Sequence, residues 1–159
     1  MTISNQENLF HNKYEEAVEN IRSHFGKKYA MIIDGQHIHS LQNFVHVSPI
    51  DTRIILGYLP SASANHVKQA IMTANKAFES WSRIHHKQRI EICRIAADIM
   101  SSKKFELAAW ISYENGKNRY EAIGDIDEAI DFIRYYSKEM ETNNGFMVQT
   151  KSAYSNEKS

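Results

Sequence analysis

Length, composition and charge are those of an ordinary globular protein and exclude several classes of function. The 159 residues fit one domain, with 42% hydrophobic and 24% charged residues. Basic and acidic residues balance at 19 each, so no charge excess favours nucleic acid or an anionic membrane as a partner. No stretch approaches the roughly 18 apolar residues of a membrane span. A single cysteine, Cys93, excludes an internal disulfide framework, and we expect a cytoplasmic protein.

The first 60 residues predict one helix followed by short strands. Residues 5–24 place Leu9, Tyr14, Val18 and Ile21 at helical spacing. The apolar run 29–33 leads into Asp34-Gly35, a strong two-residue hairpin signal, and residues 36–39 form the return strand. Two further strands are predicted from β-branched and aromatic residues at 44–47 and 53–59.

Beyond residue 60 the spacing of the apolar residues changes to that of helices, and it predicts four of them. The first is N-capped by Ser61 or Ser63 and carries one apolar face. That face consists of Val67, Ala70, Ile71, Ala74, Ala77, Phe78 and Trp81. The others cover residues 86–100, 103–113 and 118–141, and the last has an apolar stripe at Ile123, Ile126, Ile130, Ile133 and Met140. We expect the apolar faces, including Phe78, Trp81 and Trp110, to form core.

Asparagine and glycine residues mark the ends of the last two helices. Gly116 follows Asn115 and suits the left-handed conformation of a helix C-cap. The sequence Asn143-Asn144-Gly145 stops the final helix, and residues 146–150 have strand character. The fold class expected from these elements is an α-rich α+β arrangement with an N-terminal helix, a hairpin, short strands and four further helices.

Residues 114–136, ENGKNRYEAIGDIDEAIDFIRYY, are the most informative stretch of the chain. With the motifs before them, they resemble the N-terminal region of aldehyde dehydrogenases. The resemblance begins near Tyr29 and includes Val47-Ser48-Pro49, Gly57, Arg89-Ile90 and Glu106-Leu107. The order and spacing of these motifs carry the resemblance, since each alone is weak.

The resemblance implies a parent with an α/β, Rossmann-like fold and a division of this chain into three parts. Residues 1–28 would be an N-terminal helix. Residues 29–141 would be a partial segment of the cofactor domain, with its helices on the outside of that domain. Residues 142–159 would begin the strand of a projecting oligomerisation hairpin.

The segment Asp127–Tyr136, DEAIDFIRYY, is similar to the pyrroline-5-carboxylate branch of the family. Enzymes of that branch oxidise glutamate semialdehyde to glutamate with NAD during proline breakdown. By resemblance, Glu128 matches a glutamate near the substrate entrance that interacts with the amino or imino nitrogen of the substrate. A carboxylate suits a cationic amine. The alternative is that Glu128 only belongs to the solvated face of its helix.

The family's catalytic residues and cofactor loop have no counterpart in this sequence. No thiolate, general base or oxyanion-stabilising asparagine is matched, and no Gly-x-Gly-x-x-Gly or Walker pattern occurs. We therefore expect no cofactor, NAD or NADP, to bind this chain alone, although the parent would use one. The expected partners are the rest of a dehydrogenase chain or a homo-oligomer, and the isolated chain is predicted to be inactive.

Several residues invite a chemical interpretation that their surroundings do not favour. Cys93 lies in EICRIAADI, inside a helix among apolar neighbours, where a cysteine acts as a small hydrophobe. His37 and His39 would share one face of a strand and could reach one metal, but no further ligand lies nearby in sequence. His85 and His86 stand at the start of a helix, where the side chains of adjacent residues point in different directions, so the two imidazoles are poorly placed to bind one metal ion. Gly116-Lys117 is expected to be a helix cap and a solvated lysine.

Two alternative functions remain open from the sequence. The chain could be a freestanding helical interaction module that keeps part of the dehydrogenase scaffold and joins a partner through a strand at residues 146–150. It could also be a small metal-binding protein that uses His37 and His39. Because apolar side chains occur on more than one side of the helices, we expect self-association or marginal stability in isolation.

Overall fold

The computed structural model describes residues 3–147, with side chains from Glu7 onward. Five helices dominate this part of the chain, and the predicted α-rich α+β fold class is confirmed. Their bounds are α1 Ile3–Arg22, α2 Ala64–Trp81, α3 His86–Ser102, α4 Lys104–Asn115 and α5 Arg119–Thr142. The strands are β1 Lys27–Lys28, β2 Met31–Ile33, β3 Gln36–Ile38, β4 Asn43–Val47 and β5 Ile55–Pro60.

The strands form a separate hairpin and a three-stranded sheet. Strands β2 and β3 pair in antiparallel register around Asp34-Gly35, whose φ angles of 55° and 71° are those of the predicted two-residue turn. In the sheet, β5 lies between β1, which runs parallel to it, and β4, which runs antiparallel. A Cβ atom at Gly57 would lie 2.6 Å from the Tyr29 ring, so a side chain at this position in β5 would displace that ring.

The core consists of the facing surfaces of α1, α4 and α5, with a contribution from α3. Tyr14, Val18 and Ile21 of α1 lie against small side chains of the other helices. Four alanines of the core cluster are fully buried: Ala97 of α3, Ala108 and Ala109 of α4, and Ala122 of α5. Because alanine adds only a methyl group, the helix backbones approach closely and the larger side chains fill the remaining space.

The buried stripe of α5 is the one that periodicity predicts. Ile123, Ile126 and Ile130 are buried in the core cluster, and Ile133 packs partly buried against it. Asn118 caps the helix, since its side-chain oxygen accepts from the backbone N–H groups of Tyr120 and Glu121. At the preceding helix end, Gly116 adopts φ 75° as the C-cap of α4, as expected.

A buried serine joins the sheet to the helices. Ser48 follows β4 and is fully buried, and its hydroxyl donates to the backbone carbonyl of Tyr113 in the last turn of α4. The same hydroxyl oxygen accepts from the Ile50 N–H at 3.3 Å. One side chain therefore satisfies a carbonyl at a helix end and holds the turn after β4 against it.

Helix α2 is present as predicted, but its apolar face is not core in the described part of the chain. Ser63 is the N-cap, and its side chain accepts from the backbone N–H of His66. No residue of α2 is buried, and Phe78 and Trp81 are 65% and 42% exposed. The prediction that both belong to the core is therefore wrong, because no other described element covers this face. Trp110, in contrast, packs against the core.

The prediction of a strand at residues 146–150 is wrong for its first residue, Phe146. Phe146 lies in a short 3-10 helix, Asn144–Phe146, that follows α5 directly. Residues 148–150 lie outside the described residues. Gly145 has φ 73°, and a Cβ atom there would come within 2.7 Å of the His86 ring. The turn after α5 is thus packed onto the start of α3.

We expect Ala108→Leu to destabilise the protein by about 1–3 kcal/mol, because the added atoms overpack the contact between α1 and α4. The same change at exposed Ala70 in α2 should alter the free energy of unfolding by less than about 0.5 kcal/mol. Urea unfolding followed by circular dichroism measures both. Equal effects of the two substitutions would contradict the described core.

Candidate functional site

Glu128 lies on an exposed, acidic face of α5. Gly124, Glu128, Phe132 and Tyr135 recur at helical spacing on that face, so their side chains lie next to one another. With Asp127 and Asp131, they line an open depression on the protein surface. The carboxyl groups of Glu128 and Asp131 beside two aromatic rings suit a cationic group, which carboxylates and ring faces both attract.

Two lysines hold parts of this face in place. Lys104 of α4 donates to both carboxylate oxygens of Asp127, at 3.0 and 3.2 Å. Lys117 pairs with Asp125, and this hydrogen bond, with the nearby charges of Glu121 and Glu128, raises the pKa of the lysine. Lys117 was expected to be a solvated lysine, and it is instead a half-exposed partner in an ion pair.

Glu128 itself makes no hydrogen bond or ion pair within residues 7–147. Its side chain is exposed, as a surface glutamate and a substrate-binding glutamate would both be. The assignment of Glu128 to a substrate nitrogen therefore stays a prediction. The structure adds the neighbours that sequence reasoning missed, namely Asp131, Phe132 and Tyr135 in the same depression.

A second cavity, the α3–α5 cavity, has a volume of about 350 Å³ and lies between helices α3 and α5. Its walls are almost wholly apolar. The lining residues are His86, Arg89, Ile90, Cys93, Phe132, Ile133, Tyr136, Ser137 and Met140. Ion pairs Arg94–Glu141 (2.6 Å) and Arg134–Asp98 (3.0 Å) join the same two helices.

His86 is the functional candidate that sequence reasoning missed. It is 4% exposed, and neither of its ring nitrogens has a hydrogen-bond partner among the described residues. Burial lowers the pKa of its imidazole, and the neighbouring positive charges, His85 first, lower it further. The signal was available in the spacing, since His86 precedes buried Ile90 by four residues on the same helix face.

Cys93 is exposed, which corrects the expectation of a small buried hydrophobe. Isoleucines occur around much of α3, but only Ile90 and Ala97 among its apolar residues are buried. Ile92, Ile95 and Ile99 are about half exposed. The apolar neighbours of Cys93 in the sequence therefore gave a wrong prediction of burial, because only one side of α3 meets the core.

The histidine pair of the hairpin does not gather a metal site. His37 lies in β3 and His39 just beyond it, and both are exposed. Among the described residues, no group of three or more histidine, cysteine, aspartate or glutamate side chains is placed to hold a metal ion. At the other pair, the His85 ring accepts from the Lys87 N–H at 3.3 Å and caps α3.

A third cavity, of about 360 Å³, separates the sheet from α4. His46 of β4 faces Glu114 of α4 across it, with 3.7 Å between the ring Nε2 and the carboxylate. His24, Tyr29 and Trp110 also line this space. Glu114 is the first residue of the informative stretch noted in the sequence, and its structural role is to face the sheet.

Comparison with known proteins assigns the family. The aldehyde dehydrogenase family matches residues 37–158. The chain belongs to the aldehyde dehydrogenase family. Within it, 1-pyrroline-5-carboxylate dehydrogenase of Staphylococcus haemolyticus is 34% identical over 135 residues, which is 85% of this chain and 26% of that enzyme. The corresponding enzyme of Oceanobacillus iheyensis is 31% identical over 80% of this chain and 25% of its own length.

Solved structures agree with the sequence comparison. The 1-pyrroline-5-carboxylate dehydrogenase from Thermus with bound NAD superimposes with a TM-score of 0.84 at 30% identity. That match covers 91% of this chain and 28% of the Thermus chain. The resemblance found in the sequence is therefore confirmed. This chain spans about a quarter of the length of the curated relatives that it matches.

Between residues 3 and 147, no helix is both long enough and apolar enough to cross a bilayer.

We expect the free energy of unfolding to fall as pH decreases below about 6.5, the pKa of a histidine in an unfolded chain. The unfolded chain then takes up a proton at His86 that the folded chain, with its lowered pKa, does not. Urea unfolding between pH 7.5 and 5 should show this loss. It should be smaller in His86→Leu and unchanged in His37→Gln, an exposed control. An identical pH dependence in all three proteins would contradict the assignment.

Proposed function

We propose that this chain acts as the N-terminal part of an NAD-dependent aldehyde dehydrogenase that oxidises glutamate semialdehyde, formed from 1-pyrroline-5-carboxylate, to glutamate. The observation that carries the proposal is the agreement between α5, with its DEAIDFIRYY sequence, and the 1-pyrroline-5-carboxylate dehydrogenases that match in both sequence and structure. We also propose the cytoplasm as its compartment, consistent with a single exposed cysteine.

The role proposed for this chain is recognition and support rather than bond chemistry. Its sequence contains no glycine-rich phosphate loop, and Cys93 lies on α3 beside the α3–α5 cavity rather than near Glu128's acidic depression. The cofactor, the thiolate and the base would come from other parts of a complete dehydrogenase, and the isolated chain would form no NADH.

Within that role, Glu128 would hold the positively charged nitrogen of the substrate. The exposed carboxylate has no partner among residues 7–147, and Phe132 lies one helical turn beyond it. Asp131 adds negative charge to the same depression. The alanine-packed core holds α5 on its opposite side, so the carboxylate projects from a rigid helix.

The division of the chain follows the same proposal. In it, residues 1–28, which include α1, would be an N-terminal extension, residues 29–141 would be a partial cofactor-domain segment, and residues 142–159 would lead into an oligomerisation element that does not begin as a strand at Phe146. The exposed face of α2 is consistent with an outer helix that other parts of the dehydrogenase cover. The partner would thus be the remainder of a dehydrogenase or further copies of this chain.

The exposed face of α2 also supports the second candidate, a freestanding helical interaction module. Val67, Ile71 and Phe78 repeat along one side of a helix that has no buried residue. Such a face binds a partner whether or not that partner is a dehydrogenase. Catalysis separates the two candidates, since only the first requires that this scaffold supports oxidation of an aldehyde.

To test the first candidate, residues 1–147 would replace the matching N-terminal quarter of the Thermus enzyme. We expect this chimera to form NADH from glutamate semialdehyde. Glu128→Gln should raise its KM about tenfold with little change in kcat, because a charged hydrogen bond to the substrate is lost. Glu139→Gln, a control on the same helix, should leave both constants unchanged. A folded but inactive chimera, or equal effects of the two substitutions, would contradict the proposal.

We expect the isolated chain to bind a hydrophobic dye and to self-associate through α2. Phe78→Ser should lower both the dye fluorescence and the weight-average mass in sedimentation, because it removes the most exposed aromatic ring of α2. Asn75→Ser, at an exposed position of α2 outside the apolar face, is the control. A monomer that binds no dye would show that this face does not drive association.

A further inference from the structure

An ion pair near the start of α5 is a neighbour of Glu128. Lys117 lies in the short connection between α4 and α5, and its ammonium donates to the carboxylate of Asp125 in α5. Glu128 follows Asp125 by three residues, so the two side chains are adjacent on the helix surface. Because helix side chains lean toward the N-terminus of their helix, Glu128 lies over the turn that contains Asp125.

More than one carboxylate acts on the Lys117 ammonium. Glu121, Asp125 and Glu128 recur at intervals of four and three residues, so they form one row along α5. The hydrogen bond to Asp125 is the main cause of the raised pKa of Lys117, and the charges of Glu121 and Glu128 also raise it. The ammonium therefore lies within the electric field of Glu128, although it is bonded to Asp125.

A free ammonium at this place would compete with the substrate. In the proposed function, Glu128 accepts a hydrogen bond from a positively charged nitrogen, and the Lys117 ammonium is a cation of the same kind. Because Lys117 belongs to the same chain, it would meet Glu128 at a high effective concentration. Bonded to Asp125 instead, it leaves Glu128 without a partner among residues 7–147.

We propose that Asp125 is a positioning residue for the substrate site: it holds the Lys117 ammonium and thereby keeps Glu128 free for the substrate nitrogen. This inference rests on the proposed function, in which Glu128 binds that nitrogen. Neither Asp125 nor Lys117 lines the depression around Glu128. Asp125 acts through Lys117 rather than on the substrate, so the effect of removing it should depend on whether the lysine is present.

Kinetics of the chimera with the Thermus enzyme test this role. Asp125→Asn releases Lys117 and should raise the KM for glutamate semialdehyde about threefold with kcat unchanged, which is the size of effect expected of one exposed ion pair. Adding Lys117→Gln to Asp125→Asn removes the competing cation and should return the KM to that of the unmodified chimera. Lys117→Gln alone should not raise the KM, because Glu128 stays free.

Glu121→Gln is the matched control for net charge. It removes one carboxylate from the same row of α5 but leaves the ion pair between Lys117 and Asp125 in place. We expect its KM to equal that of the unmodified chimera. Circular dichroism checks that each variant is folded, and Asp125→Ser, which also removes the carboxylate, takes the place of Asp125→Asn if that variant does not fold.

The role of Asp125 and the proposed function fail in different ways. If Glu128→Gln raises the KM and Asp125→Asn does not, the role of Asp125 is wrong and the function stands. An equal rise in Asp125→Asn, Lys117→Gln and the double variant would overturn the role, because the ion pair would then only support the fold.

Two further outcomes complete the test. An equal rise in Glu121→Gln and Asp125→Asn would also overturn the role of Asp125, because general loss of negative charge would explain it. A folded but inactive chimera would overturn the proposed function and this inference with it. A rise in Asp125→Asn that Lys117→Gln reverses, with Glu121→Gln unchanged, would establish the role.

Discussion

Close packing of α1, α4 and α5 through buried alanines is the contact on which the rest of this structure depends. Ala108, Ala109 and Ala122 are fully buried where these helices meet, and Tyr14 of α1 donates to the Ser112 hydroxyl of α4 in the same layer. Small side chains at these positions bring the helices close enough to exclude water. The position of α5 follows from this packing, and with it the placement of every candidate site on that helix.

Helix α5 presents different chemistry on different sides because only one side is needed for packing. The isoleucine stripe meets the core, the acidic face carries Glu128, and the side toward α3 forms the apolar cavity with Arg89 and His86. A rigid helix fixes the relative positions of such groups better than a loop does. The proposed role of Glu128 in substrate recognition therefore rests on a side of α5 that the core leaves free.

Most of the secondary structure could be predicted from the sequence, whereas burial could be predicted for α5 but not for α2 or α3. Periodicity and capping signals located the helices, and Asp34-Gly35 located the hairpin, because these features depend on neighbouring residues. Burial depends on what covers a face. Phe78 and Ile126 each belong to a set of apolar residues at helical spacing, but Phe78 is exposed and Ile126 is buried. Cys93 is exposed although its sequence neighbours are apolar, for the same reason.

The family could be recognised from motif order, and the sites could be predicted only in part. Glu128 was found because its motif DEAIDFIRYY carries the resemblance, and helical spacing alone would have placed Asp131 and Tyr135 of the same motif beside it. In contrast, the α3–α5 cavity joins residues more than 35 positions apart in the sequence, such as Cys93 and Phe132. No local pattern relates such residues, so their arrangement required the structure.

Native-state hydrogen exchange tests the central claim, that the alanine-lined core fixes α5, most directly. Exchange from a packed core requires global unfolding, whereas exchange from an uncovered helix requires only local opening. The account predicts that the slowest amides belong to α4 and α5 around Ala109 and Ile126, and that α2 around Ile71 exchanges much faster. Equal protection of α2 and α5, or slowest exchange in α2, would contradict it.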